Sequence, residues 1–112
     1  MSLSDEDFVR HVLDEACNIA AFMKDKSIED LRSNIMLDRA VTRSLEIMGE
    51  ASKKVSKEYQ KKHPSLPWRE MSDTRNRIIH FYFGIDHEVI MDIVTNELPT
   101  LTEKLTRLLN GE

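Results

Sequence analysis

Three side chains able to move protons and hold phosphate fall within eight residues of this chain, in Arg75-Asn76-Arg77-Ile78-Ile79-His80-Phe81-Tyr82. An imidazole that titrates near neutrality can give and take protons, a guanidinium can hold or stabilise a phosphate, and a carboxamide can orient either. On a helix, Arg75 and Tyr82 would share nearly one face, with Asn76 and His80 as i, i+4 neighbours beside them. The four side chains would then edge one cleft. No carboxylate or cysteine belongs to the set, which fits phosphoryl chemistry without a metal better than acyl transfer.

The hydrophobic rhythm around this segment runs Trp68, Met71, then Ile78 or Ile79, then Tyr82, and the slot between Met71 and Ile78 reads as Arg75. An unpaired guanidinium is costly to bury, so in that register Arg75 needs a carboxylate, a subunit interface or an anionic ligand. Glu46 and Glu50 of a preceding helix are the candidate ion-pair partners. A carboxylate there could also aim the guanidinium at a phosphate.

The spacing of Arg75, His80 and Tyr82 resembles the R-x4-H-x-Y signature of HepT-like toxins in the HEPN superfamily, with Asn76 as the polar residue after the arginine. Further segments follow that family's order: Leu45-Glu46-Ile47-Met48-Gly49-Glu50-Ala51, Pro67-Trp68-Arg69-Glu70, Tyr82-Phe83-Gly84-Ile85-Asp86 and Ile93-Val94-Thr95-Asn96-Glu97-Leu98-Pro99. A shuffled chain of this composition would show the full motif only about 0.005 times. The resemblance implies a metal-independent endoribonuclease toxin of a toxin–antitoxin pair, acting without a cofactor on an RNA substrate. His80 would be the acid/base group, Arg75 would stabilise charge on the phosphate, and Asn76 would support one of them. It also implies a homodimer whose two motifs share a cleft, and a nucleotidyltransferase antitoxin that adds AMP to Tyr82. The alternative is a non-catalytic HEPN accessory subunit that binds a nucleotidyltransferase or a nucleotide.

Other site chemistries find less support in the residues. None of His11, His63, His80 or His87 has a Glu three positions before it, as di-iron bundles require, and His80, Asp86 and His87 lack zinc-finger spacing. No glycine-rich phosphate loop is present. The expectation is therefore no metal. Cys17, among Leu13, Ala16 and Ala20, reads as a buried reduced thiol.

The formal net charge of −4 argues against general affinity for nucleic acid, but the charge is unevenly spread. Residues 1–52 carry a net −5, residues 53–77 a net +5 and residues 78–112 a net −4. Lys53, Lys54, Lys57, Arg69 and Arg77 are the expected RNA-binding cations around the motif. Lys61 and Lys62 read equally well as charges that complement a helix C-terminus.

A chain of 112 residues, with 32% charged and 40% hydrophobic residues and three each of Gly and Pro, suits one helical domain over residues 1–112. The periodicity predicts an all-α, HEPN-like up-and-down bundle of four main helices and no β-sheet. The first helix spans about 5–24, with Ser4 and Asp7 as its capping box, and Ser27 with Asp30 repeats the start signal. A long helix then covers about 35–62. Within it, Gly49 marks either a close approach by another helix or simple tolerance.

A third helix begins at Pro67, carries the motif and stops at Gly84, and Asp86 caps the last, about 87–109, which Pro99 should bend near Leu98. The polar, acidic N-terminus and the lack of an apolar run of ~18 residues lead to the expectation of a soluble, cytoplasmic chain without membrane contact.

Overall fold

In the computed structural model, residues 2–80 and 84–112 are described, His80 by its backbone alone. The fold is an all-α bundle. Helix α1 (Asp5–Met23) starts on a reciprocal box in which Ser4 Oγ accepts from Asp7 N and the Asp7 carboxylate accepts from Ser4 N. Helix α2 (Ile28–Ser33) repeats that device with Ser27 and Asp30, and Asn34 caps α3 (Ile35–Lys54). Each box satisfies donors that an uncapped helix leaves open, so these starts follow from local sequence.

α1 packs along α3, with α8 (Leu98–Leu109) against α1 and α5 (Trp68–Ser72) against α3. The core lies between them. Val9, Val12, Ala16 and Ile19 of α1 meet Val41, Leu45 and Met48 of α3, with Ile90, Ile93 and Leu105 closing the far side. Cys17 is exposed, contrary to expectation. The buried stripe of α1 runs Val9, Val12, Ala16, Ile19 and Met23, and one residue past Ala16 turns the side chain about 100° away from it.

The expected long helix over 35–62 is broken at Val55-Ser56, and α4 (Lys57–Lys62) follows as a separate element. Val55 takes extended angles (φ −69°, ψ 132°) while its side chain stays buried. Ser56 Oγ accepts from Tyr59 N, and the Asp5 carboxylate accepts from Ser56 N at 2.8 Å and from its hydroxyl at 2.7 Å. The first turn of α1 thereby fixes the start of α4.

The motif helix is also shorter than expected. α5 and α6 (Thr74–Ile78) meet at Asp73, and the chain then becomes extended: β1 (Ile79–His80) pairs antiparallel with β2 (Gly84–Ile85), Ile79 opposite Ile85 and His80 opposite Gly84. This two-residue ladder departs from the expectation of no β structure. β-branched Ile78 and Ile79 followed by aromatic residues suit a pleated chain as well as a helix. Gly84, expected to end the helix, instead opens β2 from the left-handed region (φ 80°).

Asp86 then caps α7 (His87–Asp92) by accepting from Val89 N. Between α7 and α8 lies a π-helical turn, Ile93–Glu97, in which Leu98 N donates to Ile93 O. Pro99 has no N–H to give and its ring crowds the carbonyl four residues back, so the widened turn falls where strain is expected. Among the described residues no helix is long and apolar enough to cross a membrane.

Candidate active site

Thr74, and not Arg75, holds the core slot between Met71 and Ile78. Its side chain is 4% exposed, and its hydroxyl donates to Met71 O at 2.6 Å with Glu70 O also near, at 3.2 Å. A threonine can satisfy its hydroxyl on the preceding turn, whereas a guanidinium cannot. Gly49 of α3 lies against this corner. A Cβ placed there would stand 3.4 Å from Met71 O, 3.7 Å from Ser72 O and 3.7 Å from Thr74 Cβ, ordinary contact distances, so the corner packs closely without requiring a glycine and simple tolerance accounts for Gly49 better.

With Thr74 inside, Arg75 turns outward and its side chain is 66% exposed. Its Nε lies 3.5 Å from Glu46 Oε2, and Glu46 is itself largely covered on α3. The expected ion pair is thus present, while most of the guanidinium stays open to a ligand. Asn76, next in sequence, faces another direction: its Nδ2 donates to Asp73 Oδ1 at 2.8 Å. The His80 side chain and all of Tyr82 lie outside the described residues.

Beside Asn76 a groove of about 470 Å³ opens between α3–α4 and α5–α6. Lys53 and Lys57 line one wall and Arg69 the other, so three of the five cations expected to bind RNA converge on it. Gln60, Trp68, Ser72 and Asp73 complete the groove with Asn76. The other two cations lie apart. Lys54 Nζ stands 5.9 Å from the Phe8 ring centroid, and Arg77 makes a two-bonded pair with Glu97, 2.9 Å and 2.5 Å. Those bonds raise the Arg77 pKa above its usual value, more than its partial burial lowers it.

Arg77 and Glu97 belong instead to a cleft of about 260 Å³ between α3, α5 and the π-helical turn, floored by Leu45, Met48 and Met71. Sequence reasoning missed the contributions of Gln60 and Asp73 to the groove. A signal existed in their spacing: Lys53, Lys57 and Gln60, and again Arg69, Asp73 and Asn76, recur at helical intervals as polar stripes. Among the described residues no three His, Cys, Asp or Glu side chains are grouped as metal ligands would be.

The family described as Ribonuclease HepT-like matches residues 12–108, nearly the whole helical bundle. The chain belongs to the HepT-like family. Two relatives cover it almost end to end. A Caldanaerobacter subterraneus protein named "Putative RNase TTE0752" is 36% identical over 94% of this chain and 94% of its own length. A Thermococcus cleftensis protein named "Probable ribonuclease HepT" is 35% identical over 96% of this chain and 98% of its own. No solved structure gives a significant match.

Proposed function

We propose that this HepT-like chain is a cytoplasmic, metal-independent endoribonuclease, the toxin of a toxin–antitoxin pair. The observation that carries the reading is Arg75: it is held from behind by Glu46 with two-thirds of its side chain exposed, one residue from a groove bearing Lys53, Lys57 and Arg69. The names of the relatives agree with an RNA substrate. In the mechanism, an RNA 2′-hydroxyl attacks the adjacent phosphorus and the bond to the 5′-oxygen of the next nucleotide breaks. The products are a 2′,3′-cyclic phosphate and a 5′-hydroxyl.

His80 takes the proton of the attacking hydroxyl and returns one to the leaving oxygen, and Arg75 stabilises the charge that grows on the non-bridging oxygens. Asn76 supports His80 or the phosphate, through the Nδ2 hydrogen that Asp73 does not take. The working unit is a homodimer in which two copies of the motif share a cleft. The partner antitoxin is a nucleotidyltransferase that joins the α-phosphorus of ATP to the Tyr82 phenol, releasing pyrophosphate; the added AMP occupies Arg75 and blocks RNA. The test is purified chain on labelled RNA, with and without EDTA, alongside Arg75→Ala and His80→Ala. Cleavage that survives EDTA and vanishes in both variants is the expected result, and cleavage that either variant retains at the normal rate refutes it.

A further inference from the structure

Two amides and a carboxylate stand among the cations of the groove, and their hydrogen bonds fix which atoms they offer. Gln60 donates through Nε2 to Val55 O at 3.0 Å, and Asn76 donates through Nδ2 to Asp73 Oδ1 at 2.8 Å. Both bonds fix which end of the amide carries the nitrogen, so each amide turns its oxygen to accept, with one N–H of the pair still free to donate. Asp73 begins α6 but makes no side-chain cap bond there, and its carboxylate serves Asn76 and the groove instead. A carboxylate weakens a surface that has to attract a polyanion. Its presence beside Lys53, Lys57 and Arg69 makes chemical sense where one part of the ligand is phosphate and another is a hydrogen-bond donor.

We infer that this groove is a nucleobase subsite that prefers guanine, with Asp73 as the reading group and the oxygens of Asn76 and Gln60 beside it. The inference deepens the ribonuclease reading and rests on it for the substrate. Guanine alone presents two adjacent donors, N1–H and the 2-amino group, on the edge that single-stranded RNA leaves open, and a carboxylate can accept from both. Adenine and cytosine offer one amino group next to a ring nitrogen that would face the carboxylate as an acceptor. Uracil has a single N–H between two carbonyls. The cations hold phosphate whichever base is bound, so they supply affinity and the acceptors supply choice.

The sole tryptophan, Trp68, lines the groove and reports its occupancy by fluorescence, with calorimetry as an independent measure. Titrating 5′-GMP, 5′-AMP, 5′-CMP and 5′-UMP into the full chain should show GMP binding about tenfold more tightly than the others, the discrimination expected of one two-donor contact. Asp73→Asn should bring the four within about twofold, while Lys57→Ala should weaken all four alike. Sequencing the products of a randomised RNA should place guanine beside the cut in wild type and lose that bias in Asp73→Asn. Equal binding of the four nucleotides, or a guanine preference that Asp73→Asn leaves intact, overturns the subsite even if RNA is cleaved. A chain that selects GMP but cuts no RNA instead overturns the ribonuclease reading and leaves the nucleotide site standing.

Discussion

Glu46 Oε2 lies 3.5 Å from Arg75 Nε, a largely covered carboxylate on α3 behind an exposed guanidinium on α6. An exposed arginine has about 2 kcal/mol of rotamer entropy to lose on binding, and a carboxylate that restrains it from behind lowers that cost when phosphate arrives. Glu46→Gln should therefore lower RNA cleavage about tenfold while Arg75→Ala lowers it a hundredfold or more. Thermal melts of both variants should stay close to wild type, because the pair is too exposed to support the fold. A Glu46→Gln enzyme with unchanged cleavage would reduce Glu46 to a surface ion pair.

On the proposed reading, His80 and Tyr82 part company in the variants that test it. His80→Ala should abolish cleavage and growth inhibition. Tyr82→Phe keeps the ring, removes the acceptor oxygen and should stay nearly fully toxic. Intact mass after co-expression with the proposed nucleotidyltransferase antitoxin should show added AMP on wild type and none on Tyr82→Phe. An equal mass gain on both would move the modification elsewhere.

The helix starts were the most legible part of the sequence, because Ser4 with Asp7 and Ser27 with Asp30 are complete local devices whose effect depends on nothing distant. The break at Val55-Ser56 was not, since it is sealed by Asp5, fifty-one residues earlier, and hydrophobic period alone runs through it. Arg75 was misplaced by one residue for a related reason. Periodicity admits either position 74 or 75 between Met71 and Ile78, and the decision falls to Thr74, whose hydroxyl can bond to its own preceding turn. The cationic groove is half visible in the sequence: Lys53, Lys57 and Arg69 stand out as cations, but only folding shows that Lys54 and Arg77 are drawn off to Phe8 and Glu97.

Gly49 offers a test of packing at the corner that sends Arg75 outward. The nearest atom to an added Cβ is Met71 O at 3.4 Å, an ordinary contact distance, and α3 is regular through this position. Gly49→Ala should then stabilise by roughly 1 kcal/mol through helix propensity and raise the melting temperature by about 4 °C. Gly49→Leu should destabilise, because a larger side chain meets two backbone carbonyls. A loss of stability in Gly49→Ala would mean that the corner tolerates no added atom at all.

Acid should loosen the starts of α1 and α2 first. The Asp7 and Asp30 carboxylates accept hydrogen bonds from the backbone and then the hydroxyl of their capping serines, and both pKa values fall below the usual 3.8. A carboxyl with a depressed folded pKa contributes stability that is fully present above its unfolded value and is lost as pH falls through the folded one. The caps should accordingly hold from neutrality down to about pH 4 and weaken only below it. Asp7→Asn and Asp30→Asn should lower the melting temperature at pH 7 and converge with wild type near pH 2. Hydrogen exchange of the α1 and α2 first-turn amides should rise over the same interval, beyond the intrinsic pH dependence. If instead the difference between Asp7→Asn and wild type stayed constant from pH 7 to pH 2, the carboxylate charge would have no part in capping α1.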